Sequence, residues 1–272
     1  MNEPDPVLGD ALEDIAYLSR SENRVRILEA LTSEAYPRRE LEEVTGTSRT
    51  TLGRILSELE ERGWAERATD GAYVATPAGK LIANEFRPLV EAMRTVRSLG
   101  EAVALLPTDE LSIELRHFSD ATVRRPKPNE PIEIDRYLAD LIRDATVFYA
   151  LTFLAPPLAV GNAMRDGVLT GRLTAEHVLA GGLVGYLHDH PDGPPPWQDY
   201  IEAGAKVYRY DGHIPCNLFI MDETVLLENS QAEKEVVDTV IESQNENVRT
   251  WALELLEAYR EKSERVDAEM FA

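Results

Sequence analysis

The sequence predicts an α+β chain in two parts: a small helical module closed by a β-hairpin and, beyond a long helix, an α/β domain with a mixed sheet. Three observations carry this. Between Ser21 and Gly63 lie three segments whose apolar residues recur at helical spacing, separated by short breaks. Two short runs then flank Asp70-Gly71, a dipeptide suited to a hairpin turn. From Leu111 onward candidate strands alternate with candidate helices. At 272 residues the chain is long enough for two domains. The pattern places them at 1–80 and 111–272, with a linker or dimerisation helix over 76–106.

Taken in order, Leu12, Ile15, Ala16 and Leu18 form a modest stripe that predicts a leading helix. Val25, Ile27, Leu28 and Leu31 predict the next, with Ser21 placed to cap it. A short helix starts at Pro37 and runs through Leu41 and Val44 to a break at Gly46. Thr47 or Ser48 caps a third, in which Leu52, Ile55, Leu56 and Leu59 fall at i, i+3, i+4 and i+7 before Gly63. Helices in this order, the last two joined by a tight turn, make a helix-turn-helix pattern, and the hairpin around Asp70-Gly71 is its wing. Thr76 and Pro77 then open a long helix through Leu81, Phe86, Leu89, Met93 and Val96, which Pro88 is expected to kink or split and Pro107 to end. A helix of this kind suits a spacer or dimer seam as well as packing on its own domain.

In the second part the strand candidates are Ala121–Arg124, Thr146–Leu154, Val168–Leu173, Lys206–Tyr210, Asn217–Asp222 and Thr224–Glu228. Helices are expected near Ile132–Asp144, Pro157–Arg165, Ala175–His188 and Trp197–Ala203, and from about Asn245 to Arg265. Asp222-Glu223 gives the last two strands a tight turn, and the run from His190 to Gln198 reads as a surface loop.

The formal net charge of −21 argues against a nucleic-acid binder until it is divided by region. Arg20–Gly100 holds 13 basic and 13 acidic residues, and the rest of the chain 15 basic against 36 acidic. Only five of the 28 basic residues are lysine. That combination predicts a surface suited to high salt, where repulsion between acidic groups is screened. The apolar stretch from Ala145 to Val160 is broken by two prolines and too short to span a membrane. No basic and apolar leader opens the chain, so a cytoplasmic location is expected. The single cysteine, Cys216, forbids an intrachain disulfide.

The chemistry-bearing residues of the first part lie off the apolar stripe of the third helix: Arg49, Thr50, Thr51, Gly53, Arg54 and Ser57. Arginine can bridge guanine O6 and N7, and threonine can touch a thymine methyl or a phosphate. Arg38 and Arg39 at the start of the preceding helix would meet a phosphate strand, and Arg67 in the wing an adjacent groove. Double-stranded DNA is therefore the expected partner. The alternative is an interaction module whose arginines are merely solvated.

Residues 21–80, with PRRELEEVTGTSRTTLGRILSELEERGWAER followed by GAYVATPAGK, resemble the winged-helix module of archaeal transcriptional regulators. The stretches VLTGRLTAEHV, EAGAKVYRYDGHIPCNLFIMDETVLL and VRTWALELLEAYRE resemble the effector domain of haloarchaeal regulators related to the methanogenesis-regulator middle domain, which is similar to the effector half of sugar-responsive regulators of the TrmB kind. The resemblance implies a dimeric repressor or activator tied to central carbon metabolism, and leaves its effector unnamed. Such effector domains have been compared with the phospholipase-D fold, whose chemistry needs His-x-Lys; none of the five histidines here has lysine at that position, so that activity is not expected.

A ligand crevice is expected at the carboxyl ends of the sheet strands, with Arg124, Arg125, Thr152, Arg172 and Asn217 as candidates and an anionic metabolite as the expected ligand. The competing reading pairs these arginines with the many acidic side chains. No phosphate-binding glycine loop appears, and neither a cofactor nor a metal is expected; His188, His190, His213 and Cys216 have no standard zinc spacing. An enzyme fused to a nucleic-acid module and a redox regulator working through Cys216 remain as alternatives.

Overall fold

The computed structural model describes residues 6–127, 129–130, 132–190, 196–228 and 239–271. Two compact units divide at Val90. The first contains α1 (Pro6–Ser19), α2 (Glu22–Ser33), α3 (Arg38–Thr45) and α4 (Arg49–Glu61), then β1 (Ala65–Arg67) and β2 (Tyr73–Ala75). Leu18, Ile27, Leu28, Leu31, Leu41, Leu52, Ile55, Leu56 and Leu59 form its core together with Trp64, as apolar residues at helical spacing should. Val44 departs from the expected stripe: it is exposed, and Thr45 is buried in its place with its hydroxyl donating to Leu41 O at 2.6 Å. Ser21 and Ser48 stand at the cap positions, yet neither side chain bonds a helix amide. Ser48 Oγ instead donates to Thr51 Oγ1 at 3.0 Å.

The two short strands pair antiparallel, Glu66 opposite Val74, across residues 68–72. The connection is longer than a two-residue turn because Asp70 Oδ1 accepts from Ala72 N and Gly71 N donates to Ala68 O, which builds a wider loop. Tyr36 joins the pair by exchanging backbone hydrogen bonds with Tyr73 at 2.8 and 2.9 Å. Thr76 caps the next helix, its Oγ1 accepting from Gly79 N at 3.1 Å. A Cβ on Gly79 would lie 2.0 Å from Trp64 O, so only glycine lets this helix start so close to the end of the core. That helix, α5 (Pro77–Leu99), is continuous through Pro88, which removes one amide from the ladder without splitting it. A 3-10 turn, Gly100–Leu105, follows it.

The second unit is built on a sheet of eight strands among the described residues: β3 (Thr122–Arg124), β4 (Val147–Thr152), β5 (Thr174–Ala180), β6 (Lys206–Tyr210), β7 (Asn217–Met221), β8 (Thr224–Glu228), β9 (Val240–Ser243) and β10 (Glu264–Val266). Their order is β10-β6-β5-β4-β7-β8-β9-β3; β4, β5 and β6 run parallel and the other pairings are antiparallel. The helices are α6 (Glu133–Asp144), α7 (Leu158–Leu169), α8 (Gly181–Asp189), α9 (Trp197–Glu202) and α10 (Glu246–Arg260). One face of the sheet packs on α6, α7, α8 and α9, the other on α10 and on residues such as Leu99, Leu106 and Phe118. Trp251 of α10 donates from Nε1 to Glu110 O at 2.9 Å.

Two expected elements are displaced. Val168–Leu173 is not a strand: Val168 and Leu169 form the end of α7, Gly171 takes a positive φ of 69°, and the Arg172 and Leu173 amides bond Gly167 O. The strand lies at Thr174–Ala180, where a helix was expected. Between two parallel neighbours, β5 is buried on both faces over His177–Leu179, so its alternation is confined to its first half. The short strands β9 and β10 were not expected, and α10 ends at Arg260 rather than near Arg265. Most of the expected loop at His190–Gln198 lies outside the described residues. The hairpin at Asp222-Glu223 is present, with Asp222 at φ 48° and its carboxylate accepting from Thr146 N, Thr146 Oγ1 and Val147 N. Among the described residues no helix is long and apolar enough to cross a membrane.

Candidate functional site

In the first unit, burial of Leu52, Ile55, Leu56 and Leu59 turns the opposite face of α4 outward, and Arg49, Thr50, Arg54 and Ser57 are exposed on it. Arg54 Nη1 bonds Glu58 at 2.7 Å, and Ser57 Oγ donates to Glu61 at 3.4 Å. Thr51 is half-buried, its hydroxyl accepting from Ser48. Arg38 does not stand free. Its Nη2 donates to Arg49 O at 2.9 Å, and a Cβ on Gly53 would lie 2.1 Å from that nitrogen. Gly53 thus makes room for the Arg38 guanidinium to lie across α4. Arg39 pairs with Glu43 at 3.5 Å on the surface. In the hairpin, Arg67 Nε donates to Gly71 O and its guanidinium lies 5.8 Å from the Tyr73 ring.

The second unit holds a cavity of about 480 Å³ on the α6–α7 face of the sheet, within the range of pockets that enclose small molecules. Period-two alternation sets its floor: Phe148, Ala150 and Thr152 of β4, His177 and Leu179 of β5, Phe219 and Met221 of β7, and Glu228 of β8. Asp135, Leu138 and Ile142 of α6, Val160 and Met164 of α7, Trp197 of α9 and the Leu154–Pro157 segment close its sides. Glu228 is buried, and its Oε1 has no hydrogen-bond partner among the described residues. Burial, and next the charge of Asp135, push its carboxyl up to about 7. Burial also raises Asp135 above the usual carboxylate range. His177 is held neutral, its pKa pushed down to about 3 by burial, with Nε2 2.7 Å from Tyr200 Oη.

Of the candidates read from the sequence, Thr152 lines this cavity and Asn217 supports it, accepting at Oδ1 from Thr152 Oγ1 at 2.7 Å and Phe153 N at 3.0 Å. The three arginines do not line it. Arg124 bonds Glu242 and lies 4.1 Å over the Tyr137 ring, Arg125 is exposed, and Arg172 donates to Ile142 O at 3.1 Å and to Ala145 O. Arg124 thus follows the competing reading, pairing with an acidic side chain, while Arg172 holds backbone carbonyls at the end of α6. Sequence reasoning missed Glu228, Asp135 and His177; the one signal was a carboxylate closing the otherwise apolar run of β8. Cys216 is buried and its thiol is pushed up to about 12, first by burial, opposite to what a reactive thiol needs. His188 Nδ1 contacts Met270 O and His190 Nδ1 contacts Tyr186 O, and no group of three metal-ligating side chains occurs among the described residues.

Both surfaces fall inside segments with known relatives. Residues 12–98 match the family model of the HVO_A0261 N-terminal domain. Residues 129–262 match the middle domain of the methanogenesis regulatory protein FilR1. The second is the domain whose resemblance the sequence carries. No curated protein matches the chain. Among solved structures, the archaeal chromatin protein TrmBL2 is 16% identical over 93% of this chain and 98% of its own, with a TM-score of 0.42. The phospholipase D family member Nuc from Salmonella typhimurium is 13% identical over 54% of this chain and 99% of its own, with a TM-score of 0.38. Both scores lie below the level from which a shared fold follows.

Proposed function

We propose that the chain is a sequence-specific, dimeric DNA-binding transcriptional regulator and not an enzyme. In this reading residues 1–80 form a winged helix-turn-helix, 76–106 a linker, and 111–272 a domain that senses a small molecule. The observation that carries it is the α4 face: Arg49, Thr50, Arg54 and Ser57 exposed on a helix whose other side is locked in the core, followed by a hairpin bearing Arg67. The match to a domain of FilR1, a regulatory protein, supports it. So does the balance of charge between Arg20 and Gly100 within a very acidic chain. The acidic excess elsewhere fits operation at high salt.

Dimerisation is assigned to the first unit, where Ile15 of α1 and Leu81 and Leu89 of α5 are exposed on a groove lined also by Leu18, Trp64 and Phe86. A second copy of the chain is the proposed occupant, since two-fold proteins suit two-fold operators. The α10 stripe is consumed by its own sheet: Trp251, Leu255, Leu256 and Tyr259 are buried there.

Selection of bound duplexes from a random pool, followed by fluorescence anisotropy on the selected site, tests the reading. Arg49→Ala and Arg54→Ala should each weaken the site by about 1–3 kcal/mol and relax the preference at one position. No enrichment, or wild-type affinity in both variants, refutes it.

A further inference from the structure

The polar groups of the cavity restrict what it accepts. Thr152, Asn217 and Glu228 stand on one face of the sheet at one end of three adjacent strands, Thr152 bonded to Asn217 and Asn217 in register with Glu228. Glu228 is 3% exposed, and its Oε1 is without a partner among the described residues. A buried acceptor of this kind is unfavourable unless something donates to it. Asp135 brings a second carboxyl to the same space. The remaining described lining is mainly apolar and aromatic, with the Trp197 indole N–H as a neutral donor left without a partner among the described residues, and no arginine or lysine is among it. A carboxylate or phosphate placed here would face two acidic groups with no described lining cation to offset them. A protonated amine would donate to Glu228 and balance its charge, while Phe148, Phe219 and Trp197 surround an apolar body.

We infer that the cavity binds an apolar molecule carrying a basic nitrogen, with Glu228 as its anchor and Asp135 as a supporting charge, and that it excludes anionic metabolites. The inference rests on the proposed regulatory reading, because it names the ligand class of the same domain. It reverses the anionic ligand that the arginines of the sequence had suggested.

Calorimetric titration of the full chain without DNA, at mildly alkaline pH, reads it through three probes that share an indole ring: tryptamine, tryptophol and indole-3-acetate. Tryptamine should bind, tryptophol more weakly, and indole-3-acetate not at all. Glu228→Gln should weaken tryptamine by about 10- to 100-fold, the loss of a charge-assisted hydrogen bond, and leave tryptophol near its wild-type affinity. Asp135→Asn, a near-isosteric change at a partly exposed position on α6, should weaken tryptamine severalfold and keeps the test open should the first variant not fold. Indole-3-acetate binding as tightly as tryptamine, binding by none of the three, or unchanged tryptamine affinity in the folded variants overturns the inference. Tryptamine added to a preformed DNA complex separates the two readings. Cavity binding that leaves DNA affinity unchanged upholds the ligand class and removes the regulatory control, and a chain that binds tryptamine but no DNA does the same for the DNA-binding reading.

Discussion

Replacing Glu228 by glutamine should remove a pH dependence from the stability of the second unit. The Glu228 carboxyl is raised from 4.5 to about 7, by burial first and then by Asp135. Of the other ionisable groups near it, His177 is neutral, Arg124 is paired with Glu242 and lies over Tyr137 toward the β3 edge, and Asp135, itself raised by burial, is present in both proteins and so drops out of the comparison. Because the folded chain holds this proton more tightly than the unfolded one, the stabilisation is complete below about pH 4.5 and is lost as pH rises through about 7. A tenfold difference in proton affinity is worth about 1.4 kcal/mol, so roughly 3 kcal/mol disappears across that window. A unit of this size moves by about 2–4 °C in Tm per kcal/mol, so wild type should fall roughly 6–12 °C relative to Glu228→Gln between mildly acidic and mildly alkaline pH. Below about pH 4.5 the two should melt together, because glutamine mimics the protonated carboxyl. Circular dichroism melts of both proteins across a pH series measure this. Parallel curves would show that Glu228 ionises without penalty and that the cavity is wetter than its lining implies.

Gly79→Ala places a Cβ 2.0 Å from Trp64 O, a backbone atom that cannot step aside, and should destabilise the first unit by about 1–3 kcal/mol in urea titrations. Asp222→Ala removes the acceptor for Thr146 N, Thr146 Oγ1 and Val147 N and leaves alanine at positive φ, so a loss of about 2–4 kcal/mol is expected by the same measurement, with Asp222→Asn recovering part of it. Cys216 should ignore a thiol reagent such as dithionitrobenzoate in the native chain and react fully in denaturant; rapid native labelling would contradict its burial.

The parts of the fold legible in the sequence are those whose partners are near in the chain. Leu52, Ile55, Leu56 and Leu59 announce α4 because one helix buries one stripe, and Asp222-Glu223 announces the β7–β8 turn because the bend is local. Strand β5 was misplaced because burial on both faces over His177–Leu179 erases the period that marks a strand. The cavity was harder still. Thr152 meets Asn217 across 65 positions, and Arg124, read as a ligand group, finds Glu242 across 118. Glu228 acquires its character only when those strands have paired, and its one local mark is that it closes the apolar run of β8.

The sheet is a partition one residue thick. Ala150 and Thr152 face the cavity while Leu151 between them belongs to the opposite core, and the same holds for Val178 between His177 and Leu179. That opposite core also contains Leu99 at the last turn of α5 and Ala102 and Leu106 just beyond it. In a close-packed interior a strand cannot shift a residue on one face without moving its neighbour on the other. A guest that spreads β4 from β5 would therefore be felt, through Leu151 and Val178, as a change of fit beneath the segment where the long helix ends.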